Sequence, residues 1–178
     1  MTRADYEKNA QYLIGKTISS VEYHEIDYKD GNFHFFDDPR FDSLDFGLEI
    51  KFTTNQVVSI IWGAEFYQYG ISLNHDAMST ILSNSRSLDV SMESRWQSVL
   101  NRTINSVDVY WSWCEESGKP KTRVYYPQDL LIGFNNEKPI VISALEIREG
   151  DWSMGMTDNI TVFFDVEMAK SFKCLVEA

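Results

Sequence analysis

The chain repeats part of its own sequence, and this repeat restricts the possible folds more than any other feature. Residues 14–23 align with residues 100–109 at a constant offset of 86 positions. The residues that recur unchanged are Thr17 as Thr103, Ile18 as Ile104, Ser20 as Ser106 and Val21 as Val107. A period of this length is too long for one unit of a solenoid, so we interpret it as an internal duplication that produced two related halves.

Each half contains the same predicted elements in the same order: a helix, a strand, a long connection, two or three further strands and a helix. Residues 4–13 and 92–100 have apolar side chains at helical spacing, which predicts short amphipathic helices. Residues 46–52 alternate between apolar and other side chains, which is typical of a strand buried on one face. We therefore predict an α+β fold with antiparallel strands, in one sheet or two, and short flanking helices.

The Ser-rich segment 85–91 predicts a linker between a first repeat, residues 1–84, and a second repeat, residues 92–178. A unit of about 85 residues is only marginally stable alone, because a small domain buries a small fraction of its surface. We therefore expect the two halves to share a core.

The chain is strongly acidic, with 27 Asp and Glu residues, 16 Lys and Arg residues and a net charge of −11. Such a surface repels nucleic acids and anionic membranes and attracts a basic protein, although acidity that serves solubility alone is the alternative. The first residues lack a signal-like apolar segment, and no apolar run is long enough to span a membrane. Cys114 and Cys174 lack the spacing of a redox or zinc motif. We expect two buried free thiols in a cytoplasmic protein, with a stabilising disulfide as the alternative.

The sequence has no recognisable catalytic or metal-binding motif. Its three histidines, His24, His34 and His75, have neither HxH nor HExxH spacing. Neither a phosphate-binding glycine pattern nor a GxSxG nucleophile motif occurs. We therefore expect a protein that is not an enzyme and that has no metal and no cofactor.

Acidic and aromatic side chains are concentrated in the connection between residues 22 and 49, which contains nine acids and two bases. Aromatic side chains flanked by charge are typical of protein-binding hot spots, and the negative charge would steer a basic partner toward them. The residues that we predict to contact this partner are Asp27, Asp30, Phe35, Phe36, Asp37, Asp38, Asp42 and Asp45. A solvated loop is the plainer interpretation, and a calcium site is a third, although the EF-hand pattern is absent.

Residues 149–158 form a second predicted contact surface. The segment contains Gly150 and Gly155, which favour mobility, together with apolar side chains. Trp152 and Met154 are the side chains that we expect to contact the partner, because large and adaptable apolar groups fit a protein surface well.

A pocket between the two halves is the competing prediction. Trp111 and Trp113 lie two positions apart on one predicted strand and share a face, although a buried stripe is their plainer interpretation. With Trp62 they would line a pocket in which Glu65 and Glu146, at equivalent positions of the repeats, supply paired carboxylates. A structural hydrogen bond to a neighbouring turn is the alternative role of these two carboxylates. This pocket would bind a small molecule or catalyse a reaction on it. A scaffold that buries its exposed aromatic side chains against a second copy is a further alternative.

Four stretches of the second half resemble small bacterial immunity proteins, which are the partners of secreted polymorphic toxins. They are residues 109–113, 126–134, 142–146 and 157–165, and they share the acidic, aromatic-rich and strand-rich character of that class. The resemblance extends to the first half only through the repeat, and it assigns no site residue. It implies a cytoplasmic protein that binds a cognate toxin tightly and blocks its active site.

Overall fold

The computed structural model of the chain describes residues 1–66, 69–116, 122–148 and 152–176, apart from the side chains of Phe36, Asp37, Arg148 and Trp152. The first half contains α1 (Arg3–Gln11), β1 (Ile18–Ile26), β2 (Phe36–Asp38), β3 (Phe41–Leu44), β4 (Gly47–Phe52), β5 (Val57–Gly63), β6 (Gly70–Asn74), α2 (Met78–Ile81) and β7 (Ser85–Asp89). The second half contains α3 (Ser94–Gln97), β8 (Ile104–Glu116), β9 (Thr122–Phe134), β10 (Glu137–Ser143), β11 (Leu145–Arg148), β12 (Trp152–Gly155), β13 (Ile160–Phe163) and α4 (Val166–Ser171). The described strands pair antiparallel and the helices are short, which confirms the predicted α+β class.

Helix α1 begins with a capping box. The Thr2 hydroxyl accepts a hydrogen bond from the Asp5 N–H (3.1 Å), and the Asp5 carboxylate accepts one from the Thr2 N–H (3.1 Å). The helix buries Tyr6 and Ala10, and the Gln11 side chain donates to a backbone carbonyl of β8 (2.6 Å). Helix α1 therefore lies against the outermost strand of the second sheet. Helix α3 is shorter than the periodicity of residues 92–100 predicts.

The first sheet has the strand order β6-β5-β4-β1-β7. The alternation in β4 predicts burial of one face, but both faces are buried. Leu48 and Ile50 lie in the core, and Glu49 on the other face is covered because its Oε2 accepts the Met78 N–H of α2 (2.6 Å). Helix α2 thus covers the face of β4 that the sequence pattern predicts to be exposed, and it is held there by the Glu49 carboxylate.

The Ser-rich segment 85–91 is more than the linker that the sequence predicts. It contains β7, which pairs with β1 and completes the first sheet. Leu88 packs against the core, Val90 is buried, and the Ser91 hydroxyl accepts the Val21 N–H (3.0 Å). Serine is tolerated here because an edge strand needs few apolar contacts.

The second sheet has the strand order β2-β3-β13-β10-β9-β8, and β11 and β12 form a separate hairpin. Strands β2 and β3 belong to the long connection of the first half, yet β3 pairs with β13 of the second half, with Phe41 opposite Phe163. The acidic connection is therefore part of a sheet, whereas the sequence predicts a loop.

The two sheets arrange four of their strands in the same order, since β6-β5-β4-β1 corresponds to β13-β10-β9-β8. The register corresponds as well: Val21 lies opposite Ile50 in the first sheet, and Val107 lies opposite Ile132 in the second. Strands β1 and β8 both have a register shift near their first residue.

The beginnings of β1 and β8 meet at Thr17 and Thr103, whose hydroxyl oxygens are 2.9 Å apart. On either side, the Gly15 N–H donates to the first carbonyl of β8 and the Asn101 N–H donates to the first carbonyl of β1, both at 2.9 Å. Gly15 (φ 83°) and Asn101 (φ 58°) are left-handed. Glycine and asparagine tolerate this conformation best, so the repeat preserves a backbone requirement rather than a residue identity.

The sequence leaves open whether the halves form one sheet or two, and the structure has two larger sheets. The largest cluster of buried apolar side chains draws on both of them, with Val21 and Ile50 from the first sheet and Ile132 and Val162 from the second. Trp96 of α3 is buried in the same cluster.

Candidate functional site

Asp42, which is predicted to contact a partner, lies in the interior on β3 and is 3% exposed. The Tyr23 hydroxyl donates to its Oδ2 (2.6 Å), and Arg95 Nη2 donates to its Oδ1 (2.7 Å). The Trp96 indole N–H donates in turn to the Tyr23 oxygen (2.6 Å). Burial, with the Asp42 charge beside it, raises the pKa of Tyr23 well above its usual value. The prediction for Asp42 is wrong, because the pairing of β3 with β13 turns this carboxylate inward.

Asp38 and Asp45 are engaged within the chain. The Asp38 carboxylate accepts hydrogen bonds from Arg40 Nε (2.8 Å) and Nη2 (3.0 Å), and these bonds hold the pKa of Asp38 below its usual value. Asp45 accepts the Tyr28 hydroxyl (3.1 Å) and the Ile26 N–H (3.4 Å). Both carboxylates therefore stabilise the connection itself.

Asp27 and Asp30 shape the turn that follows β1. Asp27 Oδ1 accepts the Lys29 N–H (2.9 Å), and Asp30 Oδ1 accepts the Asn32 N–H (3.0 Å). Asp30 also pairs with the His34 ring (Nε2 to Oδ2, 2.7 Å), and the Asn32 and His34 hydrogen bonds lower the pKa of Asp30. Asp30 remains exposed and Asp27 half-buried, so these two positions stay compatible with the predicted contact.

Two anchors hold this turn against the first sheet. The buried Glu25 accepts the His34 N–H at Oε2 (2.6 Å), and Arg86 of β7 donates to the carbonyls of residues 31 and 32. Phe35 is half-buried and packs edge to face on Tyr23, with ring centroids 5.8 Å apart. Burial raises the pKa of Glu25. The predicted contacts of Phe36 and Asp37 concern side chains outside the described part of the structure.

The second predicted contact surface is described in part. Met154 lies on β12 opposite Glu146 of β11 and is exposed. Residues 149–151 and the side chain of Trp152 lie outside the described residues. A contact between Met154 and a partner stays a prediction that its exposure permits.

The three tryptophans of the predicted pocket lie in different surroundings. Trp111 is buried under α1, where its indole N–H donates to Glu7 Oε1 (3.0 Å). Trp62 packs edge to face on Phe46 in a small cluster and also packs against the edge of the main core. Trp113 is exposed. These side chains therefore do not share the walls of one pocket.

Glu65 and Glu146 lie on different elements. Glu65 follows β5 and accepts a hydrogen bond from the Ser72 hydroxyl, whereas Glu146 belongs to the β11–β12 hairpin. The cavities whose walls are described contain neither side chain. A site of paired carboxylates thus gains no support from the described geometry.

The outer end of the β8–β9 hairpin presents an exposed aromatic pair that sequence reasoning missed. Trp113 and Tyr125 lie directly opposite each other in the strand register and are 38% and 42% exposed. The Arg123 guanidinium lies 4.1 Å from the centroid of a Trp113 ring. We call Trp113, Arg123 and Tyr125 the hairpin patch.

The hairpin patch is exposed because the two 13-residue strands extend past the core. Trp111 is the last buried residue of β8, and residues 112–116 and 122–125 are half-buried or exposed. The spacing of Trp111 and Trp113 predicts a shared face. The spacing does not show how far along β8 the covering helix α1 extends.

Both cysteines are free thiols, with Cys174 buried and Cys114 half-buried. Among the described residues, no group of three or more His, Cys, Asp and Glu side chains is arranged to hold a metal ion. None of the helices in the described ranges has the length and apolar character needed to cross a membrane.

Comparisons with models of known protein families, with curated proteins and with solved structures found no match to this chain.

Proposed function

We propose that this chain is a non-enzymatic protein that binds a basic protein partner through the hairpin patch, and that it acts in the cytoplasm as an immunity protein that covers the active site of a cognate toxin. The observation that carries the proposal is the exposed cross-strand pair of Trp113 and Tyr125 beside Arg123. Tryptophan, tyrosine and arginine are the residue types most enriched among binding hot spots.

The hairpin patch is preorganised for binding. Strand pairing fixes the backbone under Trp113 and Tyr125, and stacking on Arg123 restricts the Trp113 ring. Side chains that are already ordered lose less conformational entropy when a partner binds, so more of the contact energy contributes to affinity. The net charge of −11 favours a basic partner and accelerates the encounter.

The toxin-neutralising role is supported by the position of the resembling stretches. Residues 109–113 and 126–134, which resemble bacterial immunity proteins, lie on β8 and β9. These two strands also carry the hairpin patch. Two free thiols in the chain fit a reducing compartment.

The proposal is tested with the protein encoded beside this chain in its native host, titrated by isothermal calorimetry. We expect the double substitution Trp113→Ala/Tyr125→Ala to weaken binding by roughly 30-fold or more, because truncation of a hot-spot side chain typically removes at least 2 kcal/mol. Circular dichroism and thermal melting establish that the variant is folded.

Tyr28→Ala is the matched control, since Tyr28 is an exposed tyrosine of the acidic connection. It should change the affinity by less than about twofold if the hairpin is the contact surface. A folded double variant with full affinity would overturn the assignment of the hairpin patch. The absence of any complex with the neighbouring gene product would overturn the toxin-neutralising role.

We infer further that the two halves, with the boundaries predicted from the sequence, descend from one duplicated unit. The shared order of four strands and the equivalent hydrogen bonds around Thr17 and Thr103 support this origin. The hairpin patch has no counterpart in the first half, because β1 and β4 lack the outer extension of β8 and β9. The proposed binding function therefore belongs to one half.

A further inference from the structure

A cavity of about 250 Å³ lies on the second half between β9, β10, the β11–β12 hairpin and the segment that follows α4. Ser112 and Tyr126 of its wall are the strand neighbours of Trp113 and Tyr125. Asp129 and Ser143 belong to its walls, together with the aromatic side chains of Tyr126 and Phe172. Lys173 lies on the wall with its side chain exposed. The volume is below that of a typical drug-sized pocket, so the cavity suits a small group.

Asp129 is a buried acid without a cationic partner. It is 1% exposed, and its carboxylate accepts hydrogen bonds from the Ser143 hydroxyl (Oδ1, 2.5 Å) and the Leu175 N–H (Oδ2, 2.7 Å). The Cys174 thiol is a third donor. All three donors are neutral, and within the described residues Asp129 forms no ion pair. Buried carboxylates are normally paired with a cation. Because the donors to Asp129 are all neutral, its negative charge has no such compensation.

Burial of Asp129 raises its pKa to about 6, which leaves the group ionised at neutral pH. The contrast with Asp42 is direct, because Asp42 is equally buried but has the Arg95 guanidinium at 2.7 Å. A low dielectric strengthens the attraction of Asp129 for any cation that enters the cavity. The rings of Tyr126 and Phe172 belong to the walls of the cavity, and aromatic rings stabilise ammonium and guanidinium groups.

We propose that this cavity binds an alkylammonium or alkylguanidinium group, with Asp129 as its counter-ion and Tyr126 and Phe172 as its aromatic walls. The group belongs either to a free small amine or to a lysine or arginine side chain of another protein. This inference is independent of the hairpin patch, because the cavity uses none of the residues of that patch.

The test is calorimetric titration of the full chain with n-butylammonium and n-propylguanidinium, and with n-butanol and N-propylurea as neutral probes of similar shape. We expect the cations to bind at least about tenfold more tightly than the neutral probes, because a charged hydrogen-bonding partner contributes more than a neutral one. Asp129→Asn should abolish this preference. Asp108→Asn, which removes an exposed acid from β8, should leave it unchanged.

Lys173→Gln gives a second measurement that does not depend on the folding of the Asp129 variant. Lys173 is exposed, and removal of its positive charge from the wall should tighten cation binding severalfold. Equal binding of neutral and charged probes, loss of cation binding in Lys173→Gln, or no binding at millimolar concentrations would each overturn the proposal.

The source of the group is decided by a last pair of probes. If Nα-acetyl-lysine amide binds as well as n-butylammonium, a protein side chain can enter the cavity. If the blocked lysine does not bind while n-butylammonium does, the ligand is a free small amine.

Discussion

The acidic connection and the outer end of the β8–β9 hairpin contain the same kinds of side chain and use them in opposite ways. In the connection, Asp42 is buried and accepts hydrogen bonds from Tyr23 and Arg95. In the hairpin, Trp113 and Tyr125 lie on strands that have passed the edge of the core, and they face outward. Composition therefore indicates what a segment is able to contact, whereas strand pairing determines whether those contacts are made inside the chain.

The difference arises from what lies next to each segment. Strand β3 is an inner strand of the second sheet, paired on both sides, so its side chains meet neighbouring layers. Strand β8 is an edge strand, and α1 covers only its inner part. The hairpin extends past α1, so Trp113 and Tyr125 at its outer end stay exposed and available to another molecule.

The largest expected effect separates the inner from the outer part of the hairpin. Trp111→Ala should lower the free energy of unfolding by about 4 kcal/mol, because it removes a fully packed ring. Trp113→Ala, two positions along the same strand, should lower it by less than about 1 kcal/mol. Urea unfolding followed by fluorescence measures both. Similar losses for the two variants would mean that the outer end is part of the core.

A smaller effect concerns the acidic connection. Asp42→Ala should lower the free energy of unfolding by roughly 3 kcal/mol, because it leaves the Arg95 guanidinium and the Tyr23 hydroxyl without their buried acceptor. Asp30→Ala, which removes an exposed acid from the same connection, should have a much smaller effect, because water and salt screen the Asp30–His34 pair. Equal values from chemical denaturation would restore the view of the whole connection as a solvated loop.

The smallest effect extends the comparison to a buried acid at the root of the hairpin. The pKa of Asp129 rises from 3.8 to about 6 on folding, so between these values the folded chain binds more protons than the unfolded chain. Its contribution to stability is therefore complete below pH 3.8 and is lost as the pH rises through 6. Asp129→Asn lacks this dependence, and the stability of the wild type relative to it should fall by about 2 kcal/mol from pH 4 to pH 7. Parallel pH profiles of the two proteins in denaturant titrations would contradict the assignment.

The sequence predicts the local elements well, since they depend on neighbouring residues. The alternation of residues 46–52 corresponds to β4. The capped helix at the beginning of the chain is also where the periodicity predicts it. Each of these patterns depends on residues that are close together in the sequence.

What the sequence does not predict depends on partners far along the chain. Residues 85–89 are predicted to be a linker because serine-rich segments are typical of loops. Only their pairing with β1 makes them a strand. The inward turn of Asp42 depends on β13, and the exposure of Trp113 depends on where α1 ends. The predicted surface and the observed hairpin patch differ because burial is a property of the assembled layers.

The pairing of β3 with β13 also affects how this protein has to be made. Ser43 and Thr161, whose hydroxyl groups are 3.1 Å apart across these strands, are 118 positions apart in the chain. The second sheet therefore closes only after the residues from β3 to β13 have been synthesised, and such distant pairing slows folding. A fragment of residues 92–178 would leave the edge of β13 open, and open edges recruit strands from other molecules. Expressed apart, the second half would aggregate, whereas the intact chain seals that edge with a strand of its own.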